Sequence, residues 1–196
     1  MPTESPPPLD ARRVLVGVTG GIAAYKTAAL VSHLVQAGAD VRVVMTDAAV
    51  RFVAPLTFQS LSGHPVLTSV WDHDDRPDSQ HVGLARWCDL FVVAPCTADT
   101  LAKFAAGLTP DPVTLTASAL PAEIPLLLAP AMNADMWAHP VVQRNLTTLR
   151  DLLPNLHEVS PDSGWQACRT SGAGRMAQPE TIFEHIVKKT AFNSNR

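Results

Sequence analysis

The sequence predicts an α/β protein: a three-layer, doubly wound parallel sheet, Rossmann-like and flavodoxin-like, with helices on both faces. Three observations predict it. Four short runs, Arg13–Val18 (RVLVGV), Val41–Met45 (VRVVM), Leu90–Ala94 (LFVVA) and Pro125–Ala129 (PLLLA), are almost wholly apolar, as central parallel strands covered on both faces must be. Helix-like segments separate them. Glycine and small hydroxyl residues gather just after the runs, at the strand ends where an open α/β sheet holds its ligand.

In chain order, the first run ends at Thr19-Gly20-Gly21. A helix follows, with Ile22, Leu30, Leu34 and Ala37 consistent with one buried face and Gly38 as its stop. Thr46 follows the second run, Pro95–Thr100 the third and Pro130–Asn133 the fourth. Helices are expected at about Thr97–Ala106 and Pro112–Leu120, and a last one from Pro179 to about Lys189. The Pro/Gly-rich segment Pro161–Gly174 reads as a loop or flap. Residues 1–12 read as a disordered tail, because MPTESPPPLD is polar and proline-rich. Residues 13–190 form the expected single domain, and 191–196 a second tail.

The chain has 196 residues, 46% of them hydrophobic, enough for one domain with a large core. Net charge is -3, and the 15 Lys and Arg residues are scattered, with doublets only at Arg12-Arg13 and Lys188-Lys189. No nucleic-acid partner is expected. The longest apolar stretches, around Leu90–Pro95 and Ile124–Met132, fall far short of a membrane span, and the start lacks a signal-peptide run. A cytoplasmic protein without membrane contact is therefore expected. Cys88, Cys96 and Cys168 are odd in number and show no CxxC or Cys/His ligand spacing. Neither a disulfide framework nor a metal site is expected.

Gly17–Ile22 (GVTGGI) lies at a strand-to-helix turn. Glycines admit an anion to the backbone, and a helix start offers N–H groups and a positive dipole end. A tight turn without ligand is the alternative reading. The spacing is not GxGxxG, and Thr46 rather than an acid closes the second run. Lys26 lies too far on for a Walker A loop. A mononucleotide such as FMN fits this end better than NAD or ATP. Pro95–Thr100 (PCTADT) adds hydroxyls at a helix start, where Thr97 is an N-cap, with or without a ligand contact.

These segments resemble a known family, the homo-oligomeric flavin-containing cysteine decarboxylases. Gly20–Lys26 (GGIAAYK) is similar to their G-S-I-A-A-Y-K opening, and PCTADT to their P-A-T-A-N-T. Pro130–Trp137 (PAMNADMW) matches P-A-M-N-x-x-M-W. His81, ahead of Leu84 and Trp87-Cys88-Asp89, sits at the histidine of H-I-x-L-x-x-W-x-D. Gly164–Cys168 (GWQAC), followed by Gly172, Gly174, Arg175 and Met176, resembles the G-x-L-A-C-G…G-x-G-R-M flap. The resemblance runs from Val14 to about Val187.

The resemblance implies FMN held by Gly20, Gly21, Ile22, Thr46, Thr97, Ala98, Asp99, Thr100 and Met132. It implies substrate contacts at Asn133, Met136, Ala167 and Arg175, and catalysis by His81, Asn133 and Cys168. His81 would be the base for thiol oxidation; a surface histidine is the alternative, and the acidic segment Trp71–Gln80 before it suggests an exposed position. Asn133 would hold the departing carboxylate, or simply form a turn. Met132 and Met136 would line the site, or be ordinary core residues. Cys168, flanked by Arg169 and Arg175, would be a reactive proton donor, or a buried structural thiol. Cys88 and Cys96 are assigned to packing.

The pairing of Asn133 with Cys168 implies the branch that decarboxylates 4′-phosphopantothenoylcysteine to 4′-phosphopantetheine in coenzyme A synthesis. Thiol oxidation to a thioaldehyde, loss of carbon dioxide and enethiolate reduction would follow in turn. A homotrimer, or a multiple of trimers, with FMN between subunits is implied, as is decarboxylation without a fused ligase domain. The alternatives are a peptidyl-cysteine decarboxylase, a flavin prenyltransferase-like enzyme, a non-catalytic FMN-binding regulatory protein, and a flavin-free nucleotide-binding module. Three departures bear on substrate: Asp99 where the family has Asn, Arg169 where it has Gly, and Thr109–Pro112 in place of G-x-A-D-D-L.

Overall fold

The computed structural model describes residues 7–71 and 79–192, with side chains to Thr190. The four apolar runs are strands: β1 (Arg13–Val18), β2 (Asp40–Met45), β3 (Leu90–Cys96) and β4 (Leu126–Pro130). A short fifth strand, β5 (Leu156–Glu158), completes a parallel sheet of order β2-β1-β3-β4-β5. Val16 of β1 pairs with Val43 on one side and Val92 on the other. This order places a topological switch at β1, between β2 and β3, the usual ligand crevice of doubly wound sheets.

Between the strands lie α1 (Ala24–Gln36), α2 (Asp47–Val50), α3 (Pro55–Ser62), α4 (Gln80–Trp87), α5 (Ala98–Ala106), α6 (Pro112–Ser118), α7 (Ala134–Ala138) and α8 (Pro140–Leu152). α9 (Pro179–Phe192) follows a hairpin of β6 (Asp162–Trp165) and β7 (Ser171–Arg175). β1 alternates between the two faces. Val14, Val16 and Val18 pack with Leu30, Leu34 and Phe58, and with Ile182 and Ile186 of α9. Leu15 packs on the other face with Phe91, Leu101, Val113 and Leu146. Two cores on opposite faces make the three layers, and the predicted fold class stands.

Local chemistry sets the boundaries. α1 stops at Gly38 with φ 91. There Gly38 N–H donates to Val35 O at 3.0 Å and Ala39 N–H to Leu34 O at 3.1 Å, a Schellman ending that the left-handed glycine permits. α6 starts at Pro112 behind an Asp111–Thr114 capping box. Among the described residues no helix is long and apolar enough to cross a membrane.

Two expectations change. Residues 7–12 are not a loose tail: Leu9 is fully buried, and its N–H donates to Ala37 O at 3.0 Å. The apolar side chain supplies the burial that composition alone did not suggest. Residues 1–6 and 193–196 lie outside the described residues, as do 72–78 of the acidic segment before His81. The expected loop at 161–174 is largely the antiparallel β6/β7 hairpin, whose ladder pairs Ser163 with Ala173 and Trp165 with Ser171.

Candidate functional site

The C-terminal ends of β1, β3 and β4, together with the hairpin, enclose a groove of about 1110 Å³. That is above the roughly 300–1,000 Å³ of common ligand clefts. At one end the chain turns through Gly20 and Gly21 into α1, and both glycines line the groove. A Cβ on Gly20 would lie 2.3 Å from Ala48 Cβ, so this close approach to α2 requires glycine. The N-cap position of α1 is Ala23, which offers no side-chain cap. Ala24 N–H and Lys26 N–H donate to Gly21 O and Ala23 O, each at 3.0 Å, and the positive end of the helix borders the groove.

Hydroxyls knit the neighbouring strand ends. Thr19 Oγ1 donates to Pro95 O at 2.7 Å, and Thr97 N–H donates to Thr19 Oγ1 at 3.2 Å. Thr97 caps α5, accepting from Thr100 N at 3.4 Å, as its position predicts. Thr46 caps α2 in the same way, accepting from Ala49 N at 3.2 Å. Both also line the groove.

Asp99 has a counter-ion. Lys103 Nζ lies 2.7 Å from Asp99 Oδ2 and 3.4 Å from Asp111 Oδ2. Partial burial pulls the Lys103 ammonium down, but the two carboxylates outweigh it and hold its pKa above the usual range. The negative charge at Asp99 is therefore paired, with one ammonium shared between it and Asp111. Lys26 is buried beside the glycine turn, donating to Met176 O at 3.2 Å and Gln178 Oε1 at 3.5 Å. Burial, with Arg175 nearby, lowers its pKa.

The other end of the groove is built from β4, α7 and the hairpin. Asn133 caps α7, its Oδ1 accepting from Met136 N at 2.8 Å, so the NH2 group is what it can offer a ligand. Gly174 sits directly on this turn: a Cβ there would lie 2.7 Å from Met132 O. Cys168 is exposed at the hairpin tip, with Sγ 3.0 Å from Thr170 Oγ1. Arg169, with φ 64, holds the left-handed conformation at the tip that a glycine would enter more easily. Cys88 and Cys96 are buried; burial pushes Cys88 up to about 12 and Cys96 higher still. Both are protonated packing residues, as expected.

The structure brings together Gly20, Gly21, Ile22, Thr46, Thr97, Ala98, Asp99, Thr100 and Met132 with Asn133, Met136, Ala167, Cys168 and Arg175. It does not bring His81 to them. His81 is half-buried in the first turn of α4 and is absent from the groove lining of its own chain. Sequence reasoning missed Lys26, Lys103, Asp111 and Gln166 as groove residues. Lys26 closes the GGIAAYK segment and Lys103 stands four residues after Asp99 in a helix, the signals that could have found them.

The family model described as Flavoprotein matches residues 2–191. The coenzyme A biosynthesis bifunctional protein CoaBC of Bacillus subtilis is 43% identical over 187 residues, covering 93% of this chain and 45% of that protein. The chain thus spans about half the length of the bifunctional relatives it matches. A probable phosphopantothenoylcysteine decarboxylase of Streptococcus mutans is 42% identical, covering 89% of this chain and 97% of that one. The solved structure of a PPC decarboxylase cysteine-to-serine mutant complexed with pantothenoylaminoethenethiol superposes with a TM-score of 0.80 at 31% identity. The match covers 94% of this chain and 100% of that one. Matched along nearly its whole length, this chain belongs to the Flavoprotein family.

Proposed function

We propose that this chain binds FMN and decarboxylates 4′-phosphopantothenoylcysteine to 4′-phosphopantetheine, a step of coenzyme A synthesis. The observation that carries this reading is a groove with an uncapped helix start behind two glycines at one end, and Asn133 with an exposed Cys168 at the other. The relatives named for this activity support it.

The residues present fit a flavin mononucleotide. Gly20 and Gly21 would hold the phosphate at the positive end of α1, and Thr46, Thr97 and Thr100 would border the remainder. β2 ends at Met45, and Thr46 rather than an acid takes the place after it where a dinucleotide site holds its second ribose. FMN bound there supplies a two-electron acceptor for the substrate thiol and returns the pair at the end, so the reaction is redox-neutral overall.

The chain's own groups do the rest. The Asn133 NH2 group donates to the substrate carboxylate and orients it until it leaves as carbon dioxide. Cys168 gives its proton to the enethiolate carbon that remains. His81 takes the thiol proton at the start. Because His81 is absent from its own chain's groove, this role needs a second copy, in keeping with a homo-oligomer whose sites lie between subunits.

Incubation of FMN-loaded protein with 4′-phosphopantothenoylcysteine tests the reading. Carbon dioxide and 4′-phosphopantetheine should appear in equal amounts. Cys168→Ser should release carbon dioxide but yield at least roughly tenfold less aminothiol. A yellow protein that is inert on this substrate would overturn the assignment in favour of a regulatory flavoprotein.

A further inference from the structure

We propose that Gln166 is a positioning residue that fixes Cys168 relative to Asn133. The inference rests on the reading of those two residues given above. Gln166 is buried, at 7% exposure, although its neighbours Trp165, Ala167 and Cys168 are exposed. Its backbone closes the turn that carries the thiol: Gln166 N–H donates to Thr170 O at 2.8 Å, and Gln166 O accepts from Arg169 N–H at 2.9 Å.

The side chain ties that turn down in two directions. Nε2 donates to Ala173 O at 3.0 Å and to Gly172 O at 3.3 Å, both on β7. Oε1 accepts from Ala134 N–H at 3.0 Å, the residue next to Asn133 and the first of α7. The Cys168 thiol also points to Oε1, at 3.7 Å. One amide therefore links Cys168 through Ala134 to the Asn133 cap.

The linkage has little slack. A Cβ on Gly172 would lie 2.5 Å from Ala134 Cβ, so the hairpin base lies flat on α7. Every polar hydrogen of the Gln166 amide is used, and a buried polar network satisfied in this way is rigid and specific. A short thiol on an exposed tip has no apolar anchor of its own. Its distance to the carboxylate site is set by this amide.

The test uses FMN-loaded Gln166→Met, which keeps side-chain length and removes the amide, and Ala134→Pro, which removes the N–H from the opposite side. Proline is tolerated at the first helical position, and Asn133 already has the extended backbone a following proline demands. Carbon dioxide release and 4′-phosphopantetheine formation are followed separately, together with iodoacetamide labelling of Cys168 by peptide mass spectrometry. Carbon dioxide release should stay within about threefold of wild type, while aminothiol formation falls on the order of tenfold or more, the cost of a misplaced reacting group. The Cys168 labelling rate should change several-fold.

If both steps fall together with labelling unchanged, or if nothing moves beyond about twofold, well below the cost of a misplaced group, the proposal is overturned. If the wild type does not decarboxylate this substrate, the reaction assignment fails alone, and the labelling rates still decide whether Gln166 sets the thiol. Should one variant fail to retain FMN, the other carries the comparison.

Discussion

At the scale of single residues, the groove depends on close approaches that tolerate no added atoms. Gly20 is the sharpest case, because an alanine there would drive its Cβ to 2.3 Å from Ala48 Cβ. The turn or α2 must then shift, an overpacking cost of about 1–3 kcal/mol. Gly20→Ala should therefore weaken FMN binding on the order of tenfold or more, at about 1.4 kcal/mol per tenfold, as read by fluorescence titration of the apoprotein. Unchanged affinity would place the phosphate elsewhere. Asp99 illustrates the opposite situation. Its departure from the family's Asn brings a charge that Lys103 in the next turn of α5 pairs with, although Lys103 is shared with Asp111. Among the three cysteines, only Cys168 is exposed, and it should be the one labelled by alkylating reagents in the folded protein.

At the scale of elements, β1 and β3 are joined at their starts by Arg13 and Asp89. Arg13 N–H donates to Asp89 Oδ2 at 2.9 Å, and its guanidinium to Oδ1 at 2.6 Å. Burial alone would raise the Asp89 pKa, but the hydrogen bonds from Arg13 outweigh it and lower it. A lowered folded-state pKa contributes stability that is present above the unfolded value, near 4, and is lost as pH falls through the folded one. Asp89→Asn should thus cost about 1 kcal/mol near neutrality after solvent screening, a Tm drop of roughly 2–4 °C. The gap between variant and wild type should close in acid; a gap that persisted below about pH 2 would deny the ion pair its role.

The elements also show what the sequence could disclose. Strands buried on both faces and helices with a cap or a proline at the start are written locally, and β1, α5, α6 and α9 were legible for that reason. α8 was not, because its buried stripe is narrow and includes a polar residue, Asn145, beside Val142, Leu146 and Leu149. β5 is a three-residue edge strand, too short to carry a period. The hairpin is rich in Gly and Ser, and its pairing is fixed by its seat on residues 132–134 rather than by strand propensity. The same division holds in the groove. Gly20, Thr97 and Asn133 lie at strand-to-helix transitions that hydrophobic patterning reveals. Gln166 and Asp111 reach it only through partners distant in the chain or on another element.

At the scale of the whole molecule, the separation of His81 from its own groove makes a statement about assembly. If a second copy supplies His81, then His81→Asn and Cys168→Ser, each inactive alone in aminothiol formation, should complement. Unfolding and refolding an equal mixture with FMN should restore roughly a quarter of the wild-type rate, since random mixing gives that share of sites both native groups. No recovery in verified mixed oligomers would mean that both groups act within one chain.

Every role assigned above depends on the groove holding a flavin mononucleotide. Stripping the purified protein of cofactor and titrating it with FMN, by flavin fluorescence and then by mass of the released ligand, tests this claim. Saturable binding of about one FMN per chain is predicted, with FAD and NAD failing to compete. A protein that folds and assembles yet takes up no FMN would contradict it.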